Sequence, residues 1–196
     1  MTGEPGRLVA IGASWGGLNA LRAVLRGLPA DLDAALVVAQ HRAAGAPSAG
    51  YLDLLGAATS LRVCEPGDKD RLAPGTVYVA APDYHLLVEG THLALSLEER
   101  VVHARPSVDV LLESAAEAFG ARCVGVVLTG ANEDGARGLA RVLELGGAGI
   151  VQDPSEAERA EMPCAAIAAA PEATVAPLAE IAGLLVDRCG RLGAAA

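Results

Sequence analysis

Residues 7–28 read RLVAIGASWGGLNALRAVLRGL, and the two halves of that stretch follow different rules. Arg7 to Ile11 is a short apolar run suited to a buried strand, whereas Leu18, Leu21, Leu25 and Leu28 recur at the helical period and mark one apolar stripe. Gly12, Gly16 and Gly17 lie between them, a composition that lets the chain turn sharply from strand into helix. Pro29 stops the helix, because its ring cannot continue the hydrogen-bond ladder. A strand, a tight turn and a helix in that order form the repeating unit of a parallel sheet wrapped by crossover helices.

The same rhythm continues outward. The sequence predicts strands over Ala34–Gln40 and Ser60–Cys64 with a helix over Ser48–Leu55 between them, and then a strand over Thr76–Ala81 after the turn residues from Pro66 to Gly75. Leu86–Val88 and Leu93–Leu97 flank the turn Gly90-Thr91 and read as an antiparallel hairpin. Ser107 is placed to cap a helix ending near Gly120. Cys123–Leu128 is the most apolar strand, followed by a Gly-bracketed loop, a helix from Gly135 to about Leu145, a strand over Ala148–Gln152 and a last helix over Leu178–Arg188. The expected fold is α/β: a three-layer, mostly parallel, doubly wound sheet with an antiparallel hairpin. It forms a single domain over residues 7–190, with 1–6 and 191–196 as frayed tails.

Composition removes several function classes. With 196 residues the chain has the size of one domain, and at 52% hydrophobic with Phe and Trp once each its core must be aliphatic. A formal charge of −9 and the lack of aromatic stacking platforms disfavour nucleic acid and anionic membranes as partners. No apolar run reaches the roughly 18 residues of a membrane span and no signal peptide opens the chain, so the expected compartment is the cytoplasm. Cys64, Cys123, Cys164 and Cys189 are scattered without metal-ligand spacing and are expected to be small buried hydrophobes. No metal or cofactor is called for.

In such a sheet, ligands bind outside the carboxyl ends of the strands. That edge carries Ser14 after the first strand, Gln40-His41 after the second, and Thr129 to Gly135 after the Cys123 strand. Gly12-Ala13-Ser14-Trp15-Gly16 fits G-x-S-x-G, a turn that exposes a serine hydroxyl at a helix N-terminus, where unpaired amides such as that of Trp15 can stabilise an oxyanion. The motif is short, and an ordinary strand–helix turn or a phosphate loop reads the same way. A dinucleotide fingerprint, however, wants glycine where Ser14 stands and an acid where Gln40-His41 stands. His41 is the candidate general base, with His85 in reserve. Asp134, before Gly135, reads first as a helix cap or dipole partner, a role compatible with that of the carboxylate that orients an imidazole, and Glu133 is its rival.

Taken together, these motifs resemble the catalytic domain of the chemotaxis protein-glutamate methylesterases (CheB), from about Leu8 to Leu185. The resemblance rests on Ile11-Gly12-Ala13-Ser14 with Gly16-Gly17, Gln40-His41, Ala80-Ala81-Pro82-Asp83 with His85, and Arg105-Pro106-Ser107-Val108-Asp109. Leu128-Thr129-Gly130, Asp134-Gly135-Ala136 and Met162-Pro163 complete it, all in family order. It implies Ser14 as nucleophile, His41 as general base and acid, and Asp134 as orienting carboxylate, with Trp15, Gly16, Ala131 and Asn132 in the oxyanion and substrate loops. The implied substrate is a γ-glutamyl methyl ester on a chemoreceptor-type helix, with glutamine deamidation as a further family activity. Separate regulatory or signalling-array proteins are the other implied partners. Alternatives are a triad esterase acting on another protein or a small ester, and a catalytically idle array-binding module. Trp15 stands where the family usually has Thr, Ala131-Asn132-Glu133 where it has Met-Gly-Asn, and Glu161 where Gly precedes Met-Pro. Family members usually carry an N-terminal receiver domain, and this chain starts almost at the first catalytic strand, so control by its own phosphorylation is not expected.

Overall fold

The computed structural model describes residues 3–193. Its strands are β1 (Arg7–Ala13), β2 (Ala34–Gln40), β3 (Arg62–Cys64), β4 (Thr76–Val79), β5 (His85–Glu89), β6 (His92–Ser96), β7 (Cys123–Val127), β8 (Ala148–Gln152) and β9 (Thr174–Ala176). The helices are α1 (Gly17–Arg26), α2 (Ala49–Gly56), α3 (Val108–Phe119), α4 (Ala136–Glu144), α5 (Glu161–Ala169) and α6 (Leu178–Cys189).

Seven strands form one sheet in the order β3-β4-β2-β1-β7-β8-β9, and every neighbouring pair is parallel. Alternation along β1 divides the core in two. Leu8 and Ala10 face one cluster with Val37 of β2, Leu111 and Leu112 of α3, Leu139 of α4 and Met162 of α5. Val9, Ile11 and Ala13 face the other, with Leu21 and Leu25 of α1, Leu55 of α2 and Ile181 and Leu185 of α6. The result is a three-layer α/β fold, with the β5–β6 hairpin packed through Leu86, Val88 and Leu93 into the first cluster.

The order of strands positions the site. β1 is central, β2 lies on one side of it and β7 on the other, so the chain winds outward in both directions from β1. The loops that leave β1, β2 and β7 therefore open beside one another at a topological switch point, where ligands bind in this class of sheet.

Most expected elements are found within a residue or two of their expected ends; one α-helix, one strand and two short 3-10 turns, Gly120–Arg122 and Pro154–Glu156, were not foreseen. Helix α5 buries only Met162, Pro163 and Ala166 in an Ala-rich segment, so it shows almost no apolar–polar contrast. Pro163 sits in its first turn, where a missing N–H costs nothing. Strand β9 is three residues long at the sheet edge, too short to show alternation. The expected burial of all the cysteines needs correction: Cys123 and Cys189 are buried, Cys64 is half-buried and Cys164 is exposed on α5. Of the expected tails, residues 1–2 and 194–196 lie outside the described residues. Within the remainder Pro5 is buried, Gly6 N–H donates to Asp33 Oδ1 (3.2 Å) and Leu192 N–H donates to the carbonyl of Asp31 (2.7 Å).

Candidate active site

Ser14 is the first residue after β1 and is held by its own backbone: its N–H donates to the carbonyl of Thr129 (2.9 Å) and its carbonyl accepts from Gly17 N–H (2.9 Å). The turn needs its glycines. Gly16 has φ +76°, a left-handed conformation that a side chain resists, and a Cβ at Gly12 would lie 2.0 Å from Val108 Cγ1. Gln40, the last residue of β2, donates from Nε2 to the Ser14 carbonyl at 2.7 Å and so ties the serine turn to the next strand.

His41 follows Gln40 directly and brings the three loops together. Its Nδ1 lies 3.1 Å from Ser14 Oγ and its Nε2 lies 2.8 Å from Asp134 Oδ2. An ionised carboxylate can only accept, so Nε2 carries the proton and the Nδ1 lone pair faces the serine hydroxyl. The imidazole is mostly covered and Asp134 is fully buried. Glu133, the rival carboxylate, is exposed and makes no hydrogen bond or ion pair with His41 among the described residues.

Asp134 is saturated by donors. Oδ1 accepts from Ser107 Oγ (2.8 Å) and Asp109 N–H (2.9 Å), and Oδ2 accepts from His41 and from Val108 N–H (2.7 Å). Burial alone would raise its pKa, but the His41 bond and the amides of Asp109 and Val108 outweigh that and hold the carboxyl below its ordinary value. The cap reading of Asp134 therefore needs correction: it caps α3, not the helix it precedes. Asp109, on α3, caps α4 in return, its Oδ1 accepting from Gly135 N–H (2.9 Å) and Gly138 N–H (2.8 Å). Two helices exchange carboxylates at their N-termini, and one of the two carboxylates faces the imidazole.

His85, the reserve base, lies behind this arrangement. It is 1% exposed, its Nδ1 accepts from Ser107 N–H (3.1 Å), and its Nε2–H donates to the carbonyl of Glu99 (3.0 Å). Both ring nitrogens are occupied, so His85 positions Ser107 and is not available as a base. Ser107 itself was expected only as a helix cap; its hydroxyl reaches Asp134 from 27 residues away, which no local pattern announces.

The oxyanion candidates divide. Among the described residues the amides of Trp15, Gly16, Ala131 and Asn132 donate to no protein acceptor, whereas that of Gly130 is taken by the carbonyl of Arg159 (3.1 Å). The Asn132 side chain is used locally, Oδ1 accepting from Asp134 N–H at 3.2 Å. A recess of about 460 Å³ adjoins His41, bordered by Arg42, Arg100, Val102, Arg105 and Asn132.

Comparison with known proteins adds to this geometry. Residues 9–185 match the family model described as CheB methylesterase. A Leptospira interrogans protein that carries a provisional name as a protein-glutamate methylesterase/protein-glutamine glutaminase is 42% identical over 180 residues, 91% of this chain and 92% of its own length. The protein-glutamate methylesterase FrzG of Myxococcus xanthus is 43% identical over 190 residues, and there the match spans 56% of the relative. The crystal structure of the Thermotoga maritima CheB methylesterase catalytic domain superposes with a TM-score of 0.86 at 31% identity, covering 93% of this chain and 98% of that one. On sequence and fold together, this chain belongs to the CheB methylesterase family.

Proposed function

We propose that the chain hydrolyses γ-glutamyl methyl esters on the helices of chemoreceptor-type signalling proteins, with Ser14, His41 and Asp134 as its catalytic triad. The observation that carries this reading is the continuous set of contacts from Ser14 Oγ through both nitrogens of His41 to Asp134 Oδ2. Ser14 Oγ attacks the ester carbonyl while Nδ1 of His41 takes the hydroxyl proton. The carbonyl oxygen becomes an oxyanion, for which the free amides of Trp15 and Ala131 are the proposed donors, each worth about 3 kcal/mol of barrier. Collapse breaks the bond to the methoxy oxygen, which leaves as methanol with the proton from His41. Water then attacks the acyl-serine, His41 takes its proton and returns it to Ser14 Oγ, and a glutamate side chain is released. A glutamine amide passes through the same steps with ammonia as the leaving group.

Asp134 does not need to gain a proton in either half-reaction. Its donors keep it ionised, which fixes the imidazole tautomer and stabilises the imidazolium that forms after the first transfer. Release of methanol from a receptor fragment methylated on glutamate tests the reading: turnover by the wild type is expected, and a wild-type protein that leaves the ester intact contradicts it.

A further inference from the structure

Trp15 is the only tryptophan of the chain, follows the nucleophile directly, and is 62% exposed. An indole held in water gains free energy when a partner covers it, in proportion to the apolar area removed from solvent. The guanidinium of Arg159 lies over its ring, 5.6 Å from the centroid. Two residues 144 positions apart are brought together by Thr129, which is 2% exposed. Its hydroxyl accepts from Arg159 N–H at 2.9 Å and lies 3.0 Å from the Trp15 carbonyl and 3.2 Å from that of Arg159, while Gly130 N–H donates to the same Arg159 carbonyl. The backbone beneath both side chains is thus fixed by the loop that also carries Asp134.

This guanidinium has no ion-pair partner among the described residues, on a chain of formal charge −9. A guanidinium held near an aromatic ring keeps the N–H donors it does not spend on protein acceptors available for a carboxylate.

We propose that Trp15 and Arg159 form a specificity platform beside Ser14, which receives the helical turn next to the ester and reads an acidic residue there. This rests on the esterase reading above. On a helix, side chains three or four positions apart have Cβ atoms about 5–6 Å apart, so an ester seated at Ser14 brings its neighbour in the next turn over the adjoining residue. The indole covers the apolar stem of that turn and the guanidinium edge pairs with its carboxylate. The favoured substrate is a methylated glutamate with Glu or Asp one turn away.

Steady-state kinetics on two methylated helical peptides test this, one with Glu and one with Met four residues from the ester. The wild type is expected to show a KM about tenfold lower for the Glu peptide. Arg159→Gln should remove most of that preference with kcat retained, and Arg159→Lys should restore part of it. In the Ser14→Ala protein the emission of the sole tryptophan should shift to the blue as the Glu peptide is added. An equal KM for both peptides in the wild type, a preference that survives in Arg159→Gln, or an emission spectrum that does not move would overturn the platform while leaving the esterase standing. A wild type that hydrolyses neither peptide overturns both.

Discussion

Asp134 receives hydrogen bonds from Ser107, Val108, Asp109 and His41, and its partner Asp109 receives those of Gly135 and Gly138. Asp134→Ala leaves those amides and the Ser107 hydroxyl buried without an acceptor at the start of α3, where only the Ser107 side chain still accepts, from Val110 N–H. The expected cost is about 2–4 kcal/mol, read from urea unfolding. Asp134→Asn keeps the volume but forces an amide N–H₂ against one of the donors and disturbs the imidazole tautomer. Turnover should drop about 10³- to 10⁴-fold with a far smaller stability loss.

The two carboxylates respond to pH with opposite signs. Asp134, held below its ordinary value, adds stability above the unfolded carboxylate pKa of about 3.9, and that contribution is lost as pH falls through its folded value. Asp109 is pushed up, mainly by burial and also by the charge of Asp134, against the Gly138 and Gly135 amides and Arg137. Its ionisation therefore costs stability as pH rises from about 4 through its raised value. Asp109→Asn keeps a carbonyl for Gly135 and Gly138, so its stability relative to wild type should improve as pH is raised through that window; a difference in chemical denaturation that stays flat as pH rises from about 4 contradicts the assignment.

At the scale of elements, the crossing of α3 and α4 sets how the two caps meet. Gly138 faces α3 so closely that an added Cβ would lie 2.7 Å from Leu112 Cβ and 3.0 Å from Asp109 Cα. Alanine is the better helix former by about 1 kcal/mol, but the overlap with backbone costs about 1–3 kcal/mol and also moves Asp109. Gly138→Ala should therefore lower the unfolding midpoint; a higher midpoint contradicts this packing. Strands β1 to β8 and the four amphipathic helices α1, α3, α4 and α6 could be read from apolar runs and periodicity, and the Gly-x-Ser-x-Gly turn from its glycines. Helix α5 and strand β9 were missed because neither has enough contrast or length to carry a period. Ser14 and His41 stood out because each follows a strand whose carboxyl end faces the same edge, whereas Asp134 was set above Glu133, on the same loop, only by the resemblance to the CheB catalytic domains. The exchange of caps, the hydroxyl of Ser107 and the placement of His85 behind it did not. They depend on two helix starts meeting in space, which a cap pattern confined to four consecutive residues does not encode.

At the scale of the whole molecule, one sheet buries most of the apolar sequence in two separate clusters and leaves the edge with the loops of β1, β2 and β7 for chemistry. Thiol reactivity checks the layering. Burial pushes the Cys123 thiol up to about 12 and Cys189 to about 11, whereas Cys164 is exposed on α5. The native protein should label rapidly at Cys164 with a disulfide reagent, with Cys123 and Cys189 reacting only on unfolding; fast native labelling of Cys123 would place β7 at the surface and contradict the sheet order. The sharpest test returns to the serine. Methanol release from a glutamate-methylated receptor fragment should be at least about 10³-fold slower for Ser14→Ala than for the wild type at matched folded concentration. A Ser14→Ala protein that releases methanol at the wild-type rate would contradict the proposed role of Ser14 directly.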